Sequence, residues 1–228
     1  SMIERDPALS IRVLQVANSG FFAARSRIES IDQAVVMLGG SMLKNLVIQV
    51  KIVDAFPSKN SSFSLEEFGR RSAMMTKLAR AIAPDEISSD DLRGLVATAD
   101  VGQLVLASRL ADRYEVVLQE CQLSGRSPVD VEQQELGVNH AEIGAYLMGL
   151  WGQPSCVVDR IAKHHRPLGS GPDEDLLCAV HVAECLVDSG GDEVRFQKFL
   201  QPGVLDRLGR QDEVPAWLAQ VAANLQPR

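Results

Sequence analysis

Apolar residues recur at three- and four-residue intervals in every strongly patterned segment of this chain, and no segment alternates as a half-buried strand would. Leu9, Val13, Val16 and Ala17 follow Asp6-Pro7, a helix cap and first-turn proline, and predict an opening helix. Ser30-Ile31-Asp32-Gln33 has the form of a capping box, with Ala34 to Leu38 as the helix body and Gly39-Gly40 as its stop. Ser41 restarts a helix that carries Leu43, Leu46, Val47 and Val50 to about Phe56, where Pro57 ends it. The polar stretch PSKNSSFS is the best internal boundary. Beyond it, Ser64 to Glu67 is a second capping box, opening a helix that Pro84 terminates.

Asp90 to about Leu110 is apolar enough for a buried central helix with a break at Gly102. Tyr114 to Leu123 is amphipathic and stops at Gly125, while Ser127-Pro128 and Asn139-His140-Ala141-Glu142 are fresh helix starts. HHRPLGSGPDED is a loop by composition. Leu176 to Val187 is another buried helix, closed by Gly190-Gly191, and Phe196 to Leu208 and Ala216 to Leu225 complete the chain. The predicted fold class is all-α, with no repeat and no low-complexity tract. The expected organisation is one unit: an N-terminal helical lobe over 1–57, a larger lobe over 62–190, and C-terminal helices over 191–228 packed on it. Amphipathic helices on both sides of one linker predict a core continuous between the lobes.

Composition narrows the chemistry. The 228 residues are 46% hydrophobic but only 5% aromatic, so aliphatic side chains must build the core. A net charge of −7 disfavours a broad nucleic-acid surface, which needs clustered Lys and Arg. Arg70, Arg71, Lys77 and Arg80 read as a solvated helix face. The four cysteines form no CxxC; Cys178 and Cys185 share a helix face as small apolar groups, a usage suited to a reducing cytoplasm. No apolar run approaches about 18 residues, so no membrane helix is expected. Phosphate-loop and nucleophile-elbow patterns are absent, and no cysteine is read as paired with a histidine. Met74, Met75 and Met148 read as core fillers and Trp151 as the anchor of a helix corner.

Four segments resemble the HDOD domain, a relative of the HD and HD-GYP phosphohydrolases: DPALSIRVLQVANSGFF, SIDQAVVMLGG, LGVNHAEIGAYLMGLWGQP and RIAKHHRPL. The resemblance implies an HD-like multi-helix bundle with an N-terminal helical lobe, used in bacterial signalling proteins and lacking most catalytic ligands. The family pattern begins upstream of Ile3, so a further N-terminal helix or domain is expected. By the same resemblance the first metal-ligand position falls on Arg71, and the His-Asp pair is reduced to Ala99-Asp100. A guanidinium stays protonated and offers no lone pair to a metal. Gln103 stands where relatives carry lysine, His140, His164 and His165 match family histidines, and Glu184 takes the place of the final Asp.

Helical geometry argues separately that these residues are vestigial. His140 at a helix start is expected to be solvated, and adjacent His164 and His165 lie about 100° apart on a helix, so one packs while the other meets water. His181, mid-helix, is expected to be a satisfied core histidine. Asp100 is expected to pair with Arg71 in place of metal cross-linking. No catalytic residue, metal or cofactor is therefore expected.

The function this implies is a non-catalytic regulatory module acting through protein partners. Those partners are signalling domains of the same full-length chain or a cyclic-di-GMP-related regulator, with no membrane or nucleic-acid role. The alternatives are a divergent metal-dependent phosphohydrolase or phosphodiesterase working through Asp100, His140, His164 and Glu184, or a nucleotide-sensing pocket without turnover.

Overall fold

The computed structural model describes residues 7–18, 28–40, 43, 47, 50 and 65–225. The Asp6 cap, the bounds of the helix expected over 41–56, the PSKNSSFS loop and the Ser64 cap lie outside the described residues. Among the described residues all regular structure is helical. The helices are α1 (Pro7–Ala17), α2 (Ile31–Leu38), α3 (Leu65–Ile82), α4 (Ser89–Ala99), α5 (Val101–Arg109), α6 (Ala111–Ser124) and α7 (Pro128–Leu136). They continue as α8 (His140–Leu150), α9 (Ser155–Lys163), α10 (Glu174–Ser189), α11 (Glu193–Phe199), α12 (Val204–Leu208) and α13 (Val214–Leu225). The single helix expected over Phe196 to Leu208 is instead two, because Leu200 leaves helical geometry and Pro202-Gly203 cannot continue it.

Local capping explains several boundaries. Ser30 accepts from the Gln33 amide, while the Gln33 side chain accepts from Glu29 N rather than from the cap itself. The Asn139 box is complete: Asn139 Oδ1 accepts from Glu142 N at 3.0 Å and Glu142 Oε2 from Asn139 N at 3.1 Å. Gly137, at φ +76°, ends α7 in a left-handed turn just before it. Asn139→Ala should lower stability by about 0.5–2 kcal/mol, read from a urea midpoint. An unchanged midpoint would mean that tertiary packing alone fixes the start of α8.

The core is centred on α10. From Leu176 to Leu186 every residue is buried, with His181 and Glu184 its only polar side chains in that stretch apart from Cys178 and Cys185. Helix α3 lies along α10, α9 packs on α8, and α8 crosses α5. Apolar side chains of α3, α4, α5, α8, α9 and α10, with Phe196 and Trp217, form the main cluster. Full burial of each large side chain contributes roughly 1.5–3 kcal/mol. Met75, Met148, Cys178 and Cys185 are buried in it, as their composition-based reading holds. Val13, Ala17, Ile28, Ile31, Ala34, Leu43 and Val50 form a separate N-terminal cluster.

The expected central helix breaks at Asp100, not at Gly102. Asp100 adopts φ −94°, ψ 9°, between α4 and α5, and turns its carboxylate toward Arg71 of α3 and His140 of α8. Gly102 has a different task. A Cβ there would stand 2.0 Å from the His140 backbone oxygen, and one on Gly144 would stand 3.3 Å from Gly102 N. Glycines on both helices thus let the α5 and α8 backbones touch, which brings His140 beside Asp100.

Candidate functional site

Five parts of the fold deliver polar side chains to one buried point. Helix α3 supplies Arg71, the α4–α5 break supplies Asp100, and α8 begins with His140. His164 and His165 follow the end of α9, and α10 carries Glu184 and Asp188.

Arg71 is the hub of one half. Its side chain is 17% exposed and contacts three carboxylates. Nε donates to Asp188 Oδ1 at 2.8 Å and NH2 to Asp188 Oδ2 at 3.0 Å, a two-pronged pair. NH2 also donates to Glu184 Oε1 at 3.1 Å, and NH1 donates to Asp100 Oδ2. Burial opposes the charge on Arg71, but Asp100, Asp188 and Glu184 outweigh it and raise the guanidinium pKa. Burial alone would likewise raise the Asp100 carboxyl. The Arg71 guanidinium, helped by His140, instead holds it well below the ordinary carboxylate range. Arg71 therefore belongs to the interior, while Arg70 and Lys77 stay on the exposed face. Gln103 Nε2 adds a donor to Asp100 Oδ1 at 3.3 Å.

Histidines form the other half. His140 is buried, contrary to the solvated position expected of a helix start, because Glu132 of α7 lies against it. Glu132 Oε2 accepts from the His140 amide at 2.8 Å and lies 2.6 Å from Nδ1. Tyr114 OH donates to Glu132 Oε1 at 3.2 Å. Burial disfavours an imidazolium at His140, but Glu132 and Asp100 overcome it and raise its pKa. Nε2 of His140 lies 3.2 Å from Asp100 Oδ1 and 2.8 Å from His165 Nε2. His164 and His165 both face this point, with ring centroids 3.9 Å apart. The 100° separation expected of helical neighbours does not apply, since α9 ends at Lys163 and both lie in the following turn.

Burial, followed by charged neighbours, shapes the remaining titrations. Burial brings His164 down to about 4 and pushes His165 well below its ordinary value. Burial and then the Asp100 charge raise Glu184 well above its ordinary range. Glu184 Oε2 lies 3.3 Å from His165 Nδ1 and 3.7 Å from His164 Nε2. A cleft of about 750 Å³ leads inward past Lys163 and Arg166 to His165 and Glu184.

The structure thus brings Arg71, Asp100, Gln103, His140, His164, His165 and Glu184 together. Ala99 sits apart, fully buried in the apolar core. Glu132, Asp188 and Tyr114 are site residues that sequence reasoning missed. Asp188 lies one helical turn after Glu184, a signal that could have found it, whereas Glu132 is embedded in the polar run VEQQEL. His181 is a satisfied core histidine, accepting from Gln201 N at 3.0 Å, and burial brings it down to about 3. It also lies 3.7 Å from Cys185 Sγ, so a cysteine does have a histidine neighbour. Burial pushes that thiol well up, which removes the thiolate that nucleophilic chemistry would need.

The donor set tests the metal chemistry of HD-like folds half by half. On the Arg71 side a fixed cation already pairs with Asp100, Glu184 and Asp188, and no lone pair replaces the missing imidazoles. On the other side three imidazoles and Glu184 place their ligand atoms within 4.8 Å of one another. The residues present fit one ion, not a pair.

Known proteins agree with this architecture. A Treponema pallidum (strain Nichols) protein of uncharacterized role is 27% identical over 179 residues, which cover 76% of this chain and 34% of that protein. The chain therefore spans about a third of the length of the curated relative it matches. A Marinobacter aquaeolei VT8 structure, provisionally described as a signal transduction protein, superposes with a TM-score of 0.70 at 21% identity, covering 97% of this chain and 51% of its own. A Shewanella amazonensis SB2B structure, provisionally described as a phosphohydrolase, gives 0.62 at 22% identity, covering 96% of this chain and 84% of its own. At such identities these two structures show the shared fold alone. The HDOD domain family model matches residues 1–167, and the chain belongs to that family.

Proposed function

We propose that this chain is a non-catalytic regulatory module of a bacterial, cytoplasmic signalling protein, acting through protein partners. The observation that carries this reading is Arg71. Two-metal phosphoester hydrolysis uses paired cations about 3.5–4 Å apart to clamp the attacking and leaving oxygens. Here a guanidinium holds Asp100, Glu184 and Asp188, and it can neither generate a hydroxide nor give up its place to substrate oxygen. A packed helical bundle suits regulation, because its interfaces hold discrete arrangements that a partner can bias. The acidic balance of −7 favours protein over nucleic-acid partners. The relationship of the fold to a protein provisionally described as acting in signal transduction is consistent with this role.

Turnover is the test. The chain, incubated with Mn²⁺ or Fe²⁺ and with cyclic di-GMP, a generic phosphodiester or nucleoside phosphates, should release no more product than a protein-free blank. Hydrolysis that disappears in the Asp100→Asn variant would overturn the reading in favour of a divergent phosphohydrolase.

A further inference from the structure

Two orienting contacts and two orphaned atoms converge inside the histidine cluster. Nδ1 of His140 lies 2.6 Å from Glu132 Oε2, and Nδ1 of His164 lies 2.6 Å from the Ile161 carbonyl oxygen. Each oxygen accepts, so each Nδ1 carries the hydrogen; on His164 this leaves the lone pair on Nε2, whereas His140 Nε2 lies 3.2 Å from Asp100 Oδ1 and would exchange its hydrogen for the ion, since metal binding releases protons from its ligands. Those Nε2 atoms face the cluster. His164 Nε2 and Glu184 Oε2 are buried without any hydrogen-bond partner. A buried polar atom left unpaired is costly, and the fold places two of them 3.7 Å apart. Nε2 of His165 and Nε2 of His140 meet at 2.8 Å, and His165 Nδ1 is 3.3 Å from the orphaned Glu184 oxygen.

We propose that His140, His164, His165 and Glu184 bind one divalent first-row transition ion, and that Glu132 is the positioning residue that holds His140 toward it. Imidazole-rich sets with one carboxylate select Zn²⁺, Fe²⁺, Co²⁺ or Ni²⁺ over the oxygen-seeking Mg²⁺ and Ca²⁺. A carboxylate or carbonyl behind a ligating imidazole fixes its ring and tautomer, and such partners typically carry 10–100-fold in metal affinity, roughly. Arg71 limits the site to one ion. It occupies Glu184 Oε1, leaves Oε2 for the metal, and repels a second cation from Asp100 and Asp188. The cleft lined by His165 and Glu184 is the entry path. The ion would tie the start of α8, the end of α9 and the middle of α10 into one cross-link, a role that requires no turnover.

The test uses the whole chain in a Cys156→Ser background, which removes an exposed thiol that would bind soft metals. Protein stripped with chelator is titrated with Co²⁺, followed by Zn²⁺. The expected result is one equivalent of Co²⁺ with the visible bands of a nitrogen- and oxygen-ligated ion, bleached by one equivalent of Zn²⁺. Glu132→Gln should weaken binding by about 10–100-fold at unchanged helicity. The His164→Gln, His165→Gln double variant should lose the bands. Failure of the folded background protein to take up an equivalent would overturn the proposal, as would Glu132→Gln and double-variant proteins that bind as tightly as their parent. Two equivalents per folded chain would overturn the single-ion assignment. Phosphodiester turnover by the loaded protein is read separately: it would end the non-catalytic reading and leave the ion site standing.

Discussion

Arg71→Leu should destabilise the protein by about 3–5 kcal/mol, a large share of the roughly 5–15 kcal/mol that holds a domain folded. The change removes one cation from three carboxylates, of which Asp100 and Glu184 are only 3% and 2% exposed in their side chains. Asp100 would be left with Gln103 and His140 alone, and Glu184 with the imidazoles, without the permanent charge that holds them together. Arg71→Lys should recover only part of the loss, because an ammonium cannot span Asp188 with two prongs and still reach Asp100 and Glu184. Denaturant unfolding at neutral pH measures both. A midpoint shift worth under about 1 kcal/mol for Arg71→Leu, the value of an exposed pair, would contradict the internal cross-link.

The pH dependence of that loss has a definite sign. In the parent, Asp100 is held below its ordinary range, so its contribution is present at neutral pH and fades as pH falls below the ordinary carboxylate pKa of about 4. Without Arg71, burial pushes the same carboxyl upward, and acid relieves the variant by protonating it. The stability gap between parent and variant should therefore narrow from pH 7 toward pH 4. A gap that widened over this window would contradict Arg71 as the partner of Asp100.

Gly102→Ala is the second large effect. The added methyl would stand 2.0 Å from the His140 carbonyl oxygen and 2.7 Å from its carbon, both backbone atoms that no rotamer change can move. The α5 and α8 backbones must separate, at a cost on the scale of overpacking, about 1–3 kcal/mol or more. Separation also moves His140 away from Asp100 and from His165. The variant should thus lose stability and perturb the imidazole resonances of His140 and His165 together. Unchanged stability with an unshifted His140 resonance would show that the two helices are not in backbone contact.

Features specified within a few residues were legible in the sequence. The Asn139 box and the Ser127-Pro128 start read correctly because a cap is satisfied by its own next turn. The buried character of α10 followed from its apolar run, and the Arg71–Asp100 pairing from charge and family resemblance. What failed depends on distant partners. Nothing near Glu132 announces burial; it is buried because Tyr114 and His140 close over it. The α4–α5 break falls at Asp100 because its carboxylate answers Arg71 and Gln103, while Gly102 serves the neighbouring helix backbone. His164 and His165 head the HHRPLGSGPDED stretch that reads as a loop, so helical spacing does not apply to them, and Pro167 marks the end of the helix. The contact of His181 with Cys185 was within reach, since i,i+4 spacing on a helix carries it.

Anomalous X-ray diffraction from crystals of the chain grown with Zn²⁺ or Mn²⁺ tests the central claim most directly. The account predicts at most a single peak, among His140, His164, His165 and Glu184, with the Arg71 guanidinium still on Asp100, Glu184 and Asp188. Two peaks about 3.5–4 Å apart, bridged by Asp100 with Arg71 displaced, would be the centre of an active phosphohydrolase and would contradict it.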